Sequence, residues 1–157
     1  MNSSHFRKRP THWLPDVDPD SQIVFVTCCT KARRRCLDRD QVHEALRQVW
    51  QAASAWRVGR YVVMPDHIHL FCAPQSEALP LGRWMAYWRS MATRSLGESG
   101  GEFWQREYWD RHLRSEESYS DKWEYVRHNP VRAGLVERPQ DWPYQGELNS
   151  LEWLGLR

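Results

Sequence analysis

The chain has 157 residues with 22 Lys+Arg against 20 Asp+Glu, a formal charge of +2, and is 27% charged and 41% hydrophobic. These totals exclude a disordered polyelectrolyte, and no run approaches the roughly 18 apolar residues of a membrane helix, so one cytoplasmic domain is expected. Ten tryptophans beside 6 Tyr and 4 Phe exceed what a core of this size needs, so some rings are expected to face a ligand. Residues 1–20 scatter Pro10, Pro15 and Pro19 among polar residues and read as an arm laid on the domain or partly disordered.

From Gln22 to Thr30 the run is β-branched and continuously apolar, as a strand buried on both faces is. After the basic run Lys31 to Arg35, Asp38 or Asp40 is expected to cap a helix. Its apolar positions Val42, Leu46, Val49, Ala53 and Trp56 recur at three- and four-residue steps. Gly59 follows the helix. Arg60 to Met64 and His67 to Cys72 then form an antiparallel hairpin around Pro65-Asp66.

Beyond a loop from Pro74 to Pro80, Leu81, Trp84, Met85, Trp88, Met91 and Ser95 trace a second amphipathic helix that stops at Gly97. A fourth strand is expected within Phe103 to Arg114. A third helix runs from Ser118 through Tyr119, Trp123 and Val126 and ends near Asn129, because Pro130 disfavours helical geometry in the residue before it. The order β-α-β-β-α-β plus a C-terminal helix is that of an α+β, ferredoxin-like (RRM-like) antiparallel sheet. Helices are expected on one face, with helical crossovers joining parallel inner strands. Cys28, Cys29, Cys36 and Cys72 show no metal-ribbon spacing and read as reduced, mostly buried thiols.

Side chains alternate along a strand, so His67 and His69 project from one face and make half a metal site. By themselves they read more simply as two partly buried histidines hydrogen-bonded to backbone. Tyr125 and Asn129, four residues apart on one helical face, put a phenol beside an amide oxygen suited to a hard cation. Arg7, Lys8 and Arg9 in the arm, and Lys31, Arg33, Arg34 and Arg35 after the first strand, are dense positive runs able to neutralise phosphates. Among the aromatic-basic segments, Trp84 and Trp88 share the apolar stripe and are assigned to the core with Trp50, Trp56 and Trp123. Tyr87, Arg89, Trp104 and Trp109, and beyond these segments Arg127 and Arg132, are candidates to meet unpaired bases and phosphates of a nucleic-acid strand.

Residues 61 to 71 (Tyr-Val-Val-Met-Pro-Asp-His-Ile-His-Leu-Phe) and 124 to 136 (Glu-Tyr-Val-Arg-His-Asn-Pro-Val-Arg-Ala-Gly-Leu-Val) closely resemble the single-tyrosine HUH transposases of the IS200-like superfamily, specifically the REP-associated tyrosine transposases. The segment Phe103 to Arg114 is similar too, so the resemblance covers about residues 21 to 136. It implies an HUH pair at His67 and His69, a nucleophile at Tyr125 and a third metal ligand at Asn129. It further implies a divalent Mg2+ or Mn2+ ion and cleavage of single-stranded DNA at imperfect hairpins of the REP/BIME type. The same resemblance implies a 5′-phosphotyrosine intermediate with a free 3′-hydroxyl, and reversal of the attack by a second strand's 3′-hydroxyl.

The corresponding division is a basic arm at 1–20, a catalytic domain at 21–137, and a tail at 138–157 that takes part in DNA binding or covers the active site. A bacterial, cytoplasmic protein acting at the nucleoid is expected, as a monomer, with a dimer as the alternative. A phenol with a reference pKa of about 10 needs a nearby cation or base. His112, His128 and Asp66 are the candidate bases, with Asp66 read as an Asx-type turn residue. Two other readings stand beside this one: a metal-dependent nuclease using water, and a non-catalytic RRM-like binder of single-stranded nucleic acid. A structural zinc site built on the histidines and Cys72 lacks a second ligand pair at recognised spacing.

Overall fold

The computed structural model describes residues 23–75, 79–98, 100–114 and 116–151, so Arg7, Lys8 and Arg9 of the arm lie outside the described residues. The apolar run after Gln22 forms β1 (Val24–Thr30), followed by α1 (Asp40–Ala52), β2 (Trp56–Val63), β3 (His67–Pro74), α2 (Leu81–Ser95) and β4 (Trp104–His112). Then come α3 (Glu116–Val126), a one-turn α4 (Asn129–Arg132) and β5 (Gln145–Glu147). The sheet order is β4-β1-β3-β2-β5, every neighbouring pair antiparallel.

This is the expected ferredoxin-like sheet, with one correction at its centre. β1 and β2, joined through α1, run parallel, but β3 folds back from β2 and inserts between them. The inner pair is therefore the antiparallel β1–β3 ladder, in which Thr27 faces His69 and Cys29 faces His67.

The helices do not share one face. Val24, Val26 and Cys28 of β1, with Ile68, Leu70 and Cys72 of β3, pack under α1 and α2 together with Leu46, Trp50, Trp84 and Trp88. The alternate residues Phe25, Val62, Phe71 and Ala73 pack under Tyr119 and Val126 of α3 and under Trp142 and Leu151 of the tail. Burial on both faces is why β1 reads as a continuous apolar run rather than an alternating one. Trp142 also donates its indole N–H to the Val63 carbonyl at 3.0 Å.

Local boundaries shift where tertiary packing outweighs periodicity. Trp56 belongs to β2, not to the first helix, and its fully buried ring donates to the Leu79 carbonyl at 2.8 Å. Neither Asp38 nor Asp40 caps α1. Arg39 takes that position without a side-chain bond, while Asp40 opens the first turn and its carboxylate accepts from the Tyr144 hydroxyl at 3.2 Å. All four cysteines are free, and Cys28, Cys29 and Cys72 are buried. No helix among the described residues is long and apolar enough to cross a membrane.

Gly59 lies inside β2, where the β2–β3 register shifts between Val58 and Tyr61. The tail crosses the strand here. Leu148 N–H donates to the Gly59 carbonyl at 3.1 Å, and Asn149 Nδ2 donates to the Val58 carbonyl at 2.9 Å. A Cβ at this position would lie 2.6 Å from Leu151 Cδ1 and 2.9 Å from the Tyr119 hydroxyl. Gly59→Val is therefore expected to destabilise the fold by about 1–3 kcal/mol, the usual cost of overpacking, read as a lower urea midpoint at unchanged slope. An unchanged midpoint would mean that the tail detaches from β2 at no cost.

Candidate active site

α3 and the tail cover only part of the sheet's second face and leave the turn-proximal end of β3 open. There Thr27, Cys29, Arg33, His67, His69 and Trp109 line a shallow cleft of about 300 Å³. Trp109 arrives because β4 pairs it with Thr27, directly opposite His69 on the other side of β1. The two imidazoles stand edge to face, their centroids 4.7 Å apart with planes at 81°.

Each histidine has its Nδ1 engaged. His67 Nδ1–H donates to Asp66 Oδ1 at 2.8 Å, and Arg33 Nε–H donates to Asp66 Oδ2 at 3.0 Å. Asp66 is thus more than a turn residue: it orients His67 and is itself held by Arg33. Burial alone would raise the Asp66 carboxyl, but the bonds from His67 and Arg33 outweigh it and hold the pKa below the usual value. Arg33 reaches Asp66 from a left-handed backbone, φ 54°, directly after Ala32 at φ 57°. Two successive non-glycine residues in this region are costly and persist only where surrounding contacts over-determine them.

His69 Nδ1 lies 2.9 Å from Thr27 Oγ1, and its ring stacks on Phe25 with centroids 5.4 Å apart. Burial, reinforced by the charges of His67, Lys122, Arg132 and Arg33, pushes His69 down to about 3, and burial also lowers His67. Both rings are therefore neutral at physiological pH. Among the described residues neither Nε2 has a protein partner, and a neutral imidazole fixed through its other nitrogen is the form that ligates a metal.

Tyr125 stands at the end of α3 and is 61% exposed. It does not share a helix with Asn129. The Pro130 ring cannot follow an unbroken turn, so α3 stops at Val126, Arg127 and His128 form a turn, and Asn129 begins α4. Arg132 restores the proximity that the helix break removes: its guanidinium carbon lies 4.0 Å from the Tyr125 ring centroid, and its Nη2 donates to Asn129 Oδ1 at 2.9 Å. Lys122, one turn before Tyr125, connects this group to the histidines. Its ammonium lies 4.9 Å from the Phe25 ring centroid and 5.9 Å from that of Tyr125.

Other residues singled out from the sequence fall elsewhere. His112 pairs with Val24, at the far end of β1 from His67. His128 Nδ1 faces the Glu124 carbonyl at 2.9 Å, and Arg127 pairs with the Glu124 carboxylate at 3.1 Å. Lys31 pairs with Glu102 at 3.4 Å and Arg34 with Glu98 at 3.5 Å, while Arg35 is exposed.

Arg89 donates to the carbonyls of Gln105 at 2.9 Å and Arg106 at 3.3 Å, which clips α2 to β4. Trp104, expected to face DNA, is 8% exposed and sits edge-on to Trp88 at 5.6 Å, because the β4 pleat turns it under α2. Tyr87 stands 51% exposed. Thr27, Phe25 and Lys122 were missed. Lys122 alone left a sequence signal, three residues before Tyr125 and so on the same helical side.

The family described as Transposase IS200 like matches residues 20–129. A Haemophilus influenzae chain assigned to the REP-associated tyrosine transposases is 30% identical over 113 residues, covering 59% of this chain and 64% of that protein. The Escherichia coli K12 REP-associated tyrosine transposase is 27% identical over 108 residues, covering 64% of each. The chain thus spans just under two thirds of the length of these curated relatives. A solved REP-associated tyrosine transposase bound to a REP hairpin superposes with a TM-score of 0.68 at 17% identity, over 94% of this chain and 98% of that one, and so shares the fold. With the matched stretch running from β1 through both histidines and Tyr125 to Asn129, the chain belongs to the IS200-like transposase family.

Proposed function

We propose that the chain cleaves and rejoins single-stranded DNA at REP-type imperfect hairpins, with Tyr125 as nucleophile and His67, His69 and Asn129 as ligands of a divalent Mg2+ or Mn2+ ion. One observation carries the reading. Two imidazoles with engaged Nδ1 atoms share one end of the sheet with an exposed tyrosine whose neighbour, Arg132, also holds the Asn129 amide. The REP-associated relatives and the hairpin bound by the structural neighbour support the substrate class.

The donor set fits a divalent cation: His67 and His69 offer Nε2, and Asn129 Oδ1 retains a lone pair beyond the one that accepts from Arg132. Bound there, such an ion supplies Lewis-acid polarisation of a phosphate oxygen. The chain's own residues orient the reactants. Asp66 and Thr27 fix the two rings, and Arg132 fixes the Tyr125 ring.

The phenol oxygen of Tyr125 attacks phosphorus in line, a Tyr–O–P bond forms and the P–O3′ bond breaks. The phenol gives up its proton and the departing 3′ oxygen gains one. One phosphodiester replaces another, so the link is conserved for a second strand's 3′-hydroxyl to reverse. Positioning of this kind accounts for much of the acceleration in phosphoryl transfer.

Imperfect-hairpin oligonucleotides with single-stranded flanks, incubated with Mn2+ and run on a denaturing gel, are expected to give a covalent protein–DNA adduct. Tyr125→Phe is expected to abolish it. An adduct that persists in Tyr125→Phe overturns the assignment of the nucleophile. Cutting without any adduct supports the water-dependent nuclease, and metal-independent RNA binding without cutting supports the RRM-like binder.

A further inference from the structure

Lys122, Arg132 and Arg111 bring three positive charges to the edge of the histidine cleft. Arg111 reaches the same face because β4 pairs it with Phe25, whose ring stacks on His69. Among the described residues no carboxylate forms an ion pair with any of the three: Asp66 is committed to Arg33 and His67, and Glu124 to Arg127 and His128. Cations gathered without counter-charges destabilise a fold unless an anion joins them.

The three are not equivalent. Arg132 is occupied, stacked on Tyr125 and bonded to Asn129. Among the described residues Lys122 makes only ring contacts, to Phe25 on the histidine side and to Tyr125 on the other, so its three N–H donors lie between the nucleophile and the histidines. Burial against those rings, with Arg111 beside it, lowers the ammonium's pKa from the ordinary lysine value.

We propose that Lys122 is a further catalytic residue: its ammonium binds a non-bridging oxygen of the scissile phosphate and holds that phosphate against Tyr125. This rests on the reading of Tyr125 as nucleophile. Lys122 contributes charge and orientation, and no bond to it forms or breaks. Arg132 is then a positioning residue, acting through Tyr125 and Asn129.

The test uses the full chain and an imperfect-hairpin oligonucleotide that the unmodified protein links covalently to Tyr125. Lys122→Met keeps the aliphatic packing and removes the charge. At saturating DNA it is expected to slow adduct formation about 100-fold, the scale of losing one preorganised group at a developing oxyanion. In chelator, without metal, the dependence of log affinity on log salt for the same strand should become shallower by about 0.7, the signature of one lost phosphate contact on single-stranded DNA.

Lys122→Arg should restore the salt slope and most of the rate. A rate loss with an unchanged slope and no rescue by Arg would show that Lys122 only packs, and would overturn the proposal. An unchanged rate and slope in Lys122→Met would overturn it while leaving Tyr125 in place. A protein that links no oligonucleotide to Tyr125 overturns the underlying reading first, and the Lys122 assignment with it.

Discussion

Asp66→Ala is expected to weaken Mn2+ binding about 10- to 100-fold, or about 1.4–2.7 kcal/mol, although Asp66 is not itself a proposed ligand. The argument runs through the tautomer. The Asp66 carboxylate accepts from His67 Nδ1 at 2.8 Å, which fixes the proton on that nitrogen, leaves Nε2 as the donor and holds the ring. Without the carboxylate, His67 samples both tautomers and several ring orientations.

Arg33 then loses its acceptor and stands as an uncompensated cation beside the proposed metal site, which adds repulsion to lost orientation. Asp66→Asn should fall between the two, since its amide oxygen still accepts from Nδ1 but carries no charge. Titration calorimetry of Mn2+ into the three proteins measures the series. Equal affinities would show that Asp66 only shapes the turn, as the dipeptide Pro65-Asp66 suggests in isolation.

The second large effect concerns stability. Trp104→Ala is expected to cost about 3–5 kcal/mol, the range for truncating a buried tryptophan, with little change in the salt dependence of DNA binding per folded molecule. The indole packs edge-on against Trp88 at 5.6 Å and Phe103 at 4.8 Å, and donates to the Arg89 carbonyl at 3.3 Å. Its removal opens a cavity and takes a second donor from that carbonyl, which lies within α2. Urea unfolding and binding isotherms at several salt concentrations separate the two outcomes. Unchanged stability with a weakened DNA complex would return Trp104 to the ligand-facing aromatics, beside Trp109 in the histidine cleft.

These expectations divide along a physical line. Alternation along a strand places His67 and His69 on one face whatever the rest of the chain does, and the apolar run from Ile23 to Cys29 demands burial on both sides. Those features are local, as are the helical stripe of Trp84 and Trp88 and the helix end ahead of Pro130, so the fold class and the shared face of His67 and His69 were legible in the residue order. The resemblance at residues 124 to 136 supplied Tyr125 and Asn129, but periodicity wrongly put them on one unbroken helix.

What required the tertiary structure depends on residues distant in the chain. Strand pairing brings Thr27 against His69 and Trp109 against Thr27, and the β4 pleat, not the hydropathy of residues 103–111, sends Trp104 inward and leaves Trp109 in the cleft. The left-handed turn at Ala32 and Arg33 aims a guanidinium at Asp66 across 33 residues. Gly59 is required by a tail more than eighty residues later that occupies the space of its missing Cβ.

The near-neutral total of +2 is consistent with a local cationic edge because charge pairing is settled in space. Lys31 and Arg34 meet Glu102 and Glu98, while Lys122, Arg111 and Arg132 converge where no carboxylate among the described residues pairs with them. The sequence by itself determined the principal elements and the faces on which the candidate residues stand. Long-range packing decided which side chains share a site, because a periodic pattern specifies a face of one element and not what will lie against it.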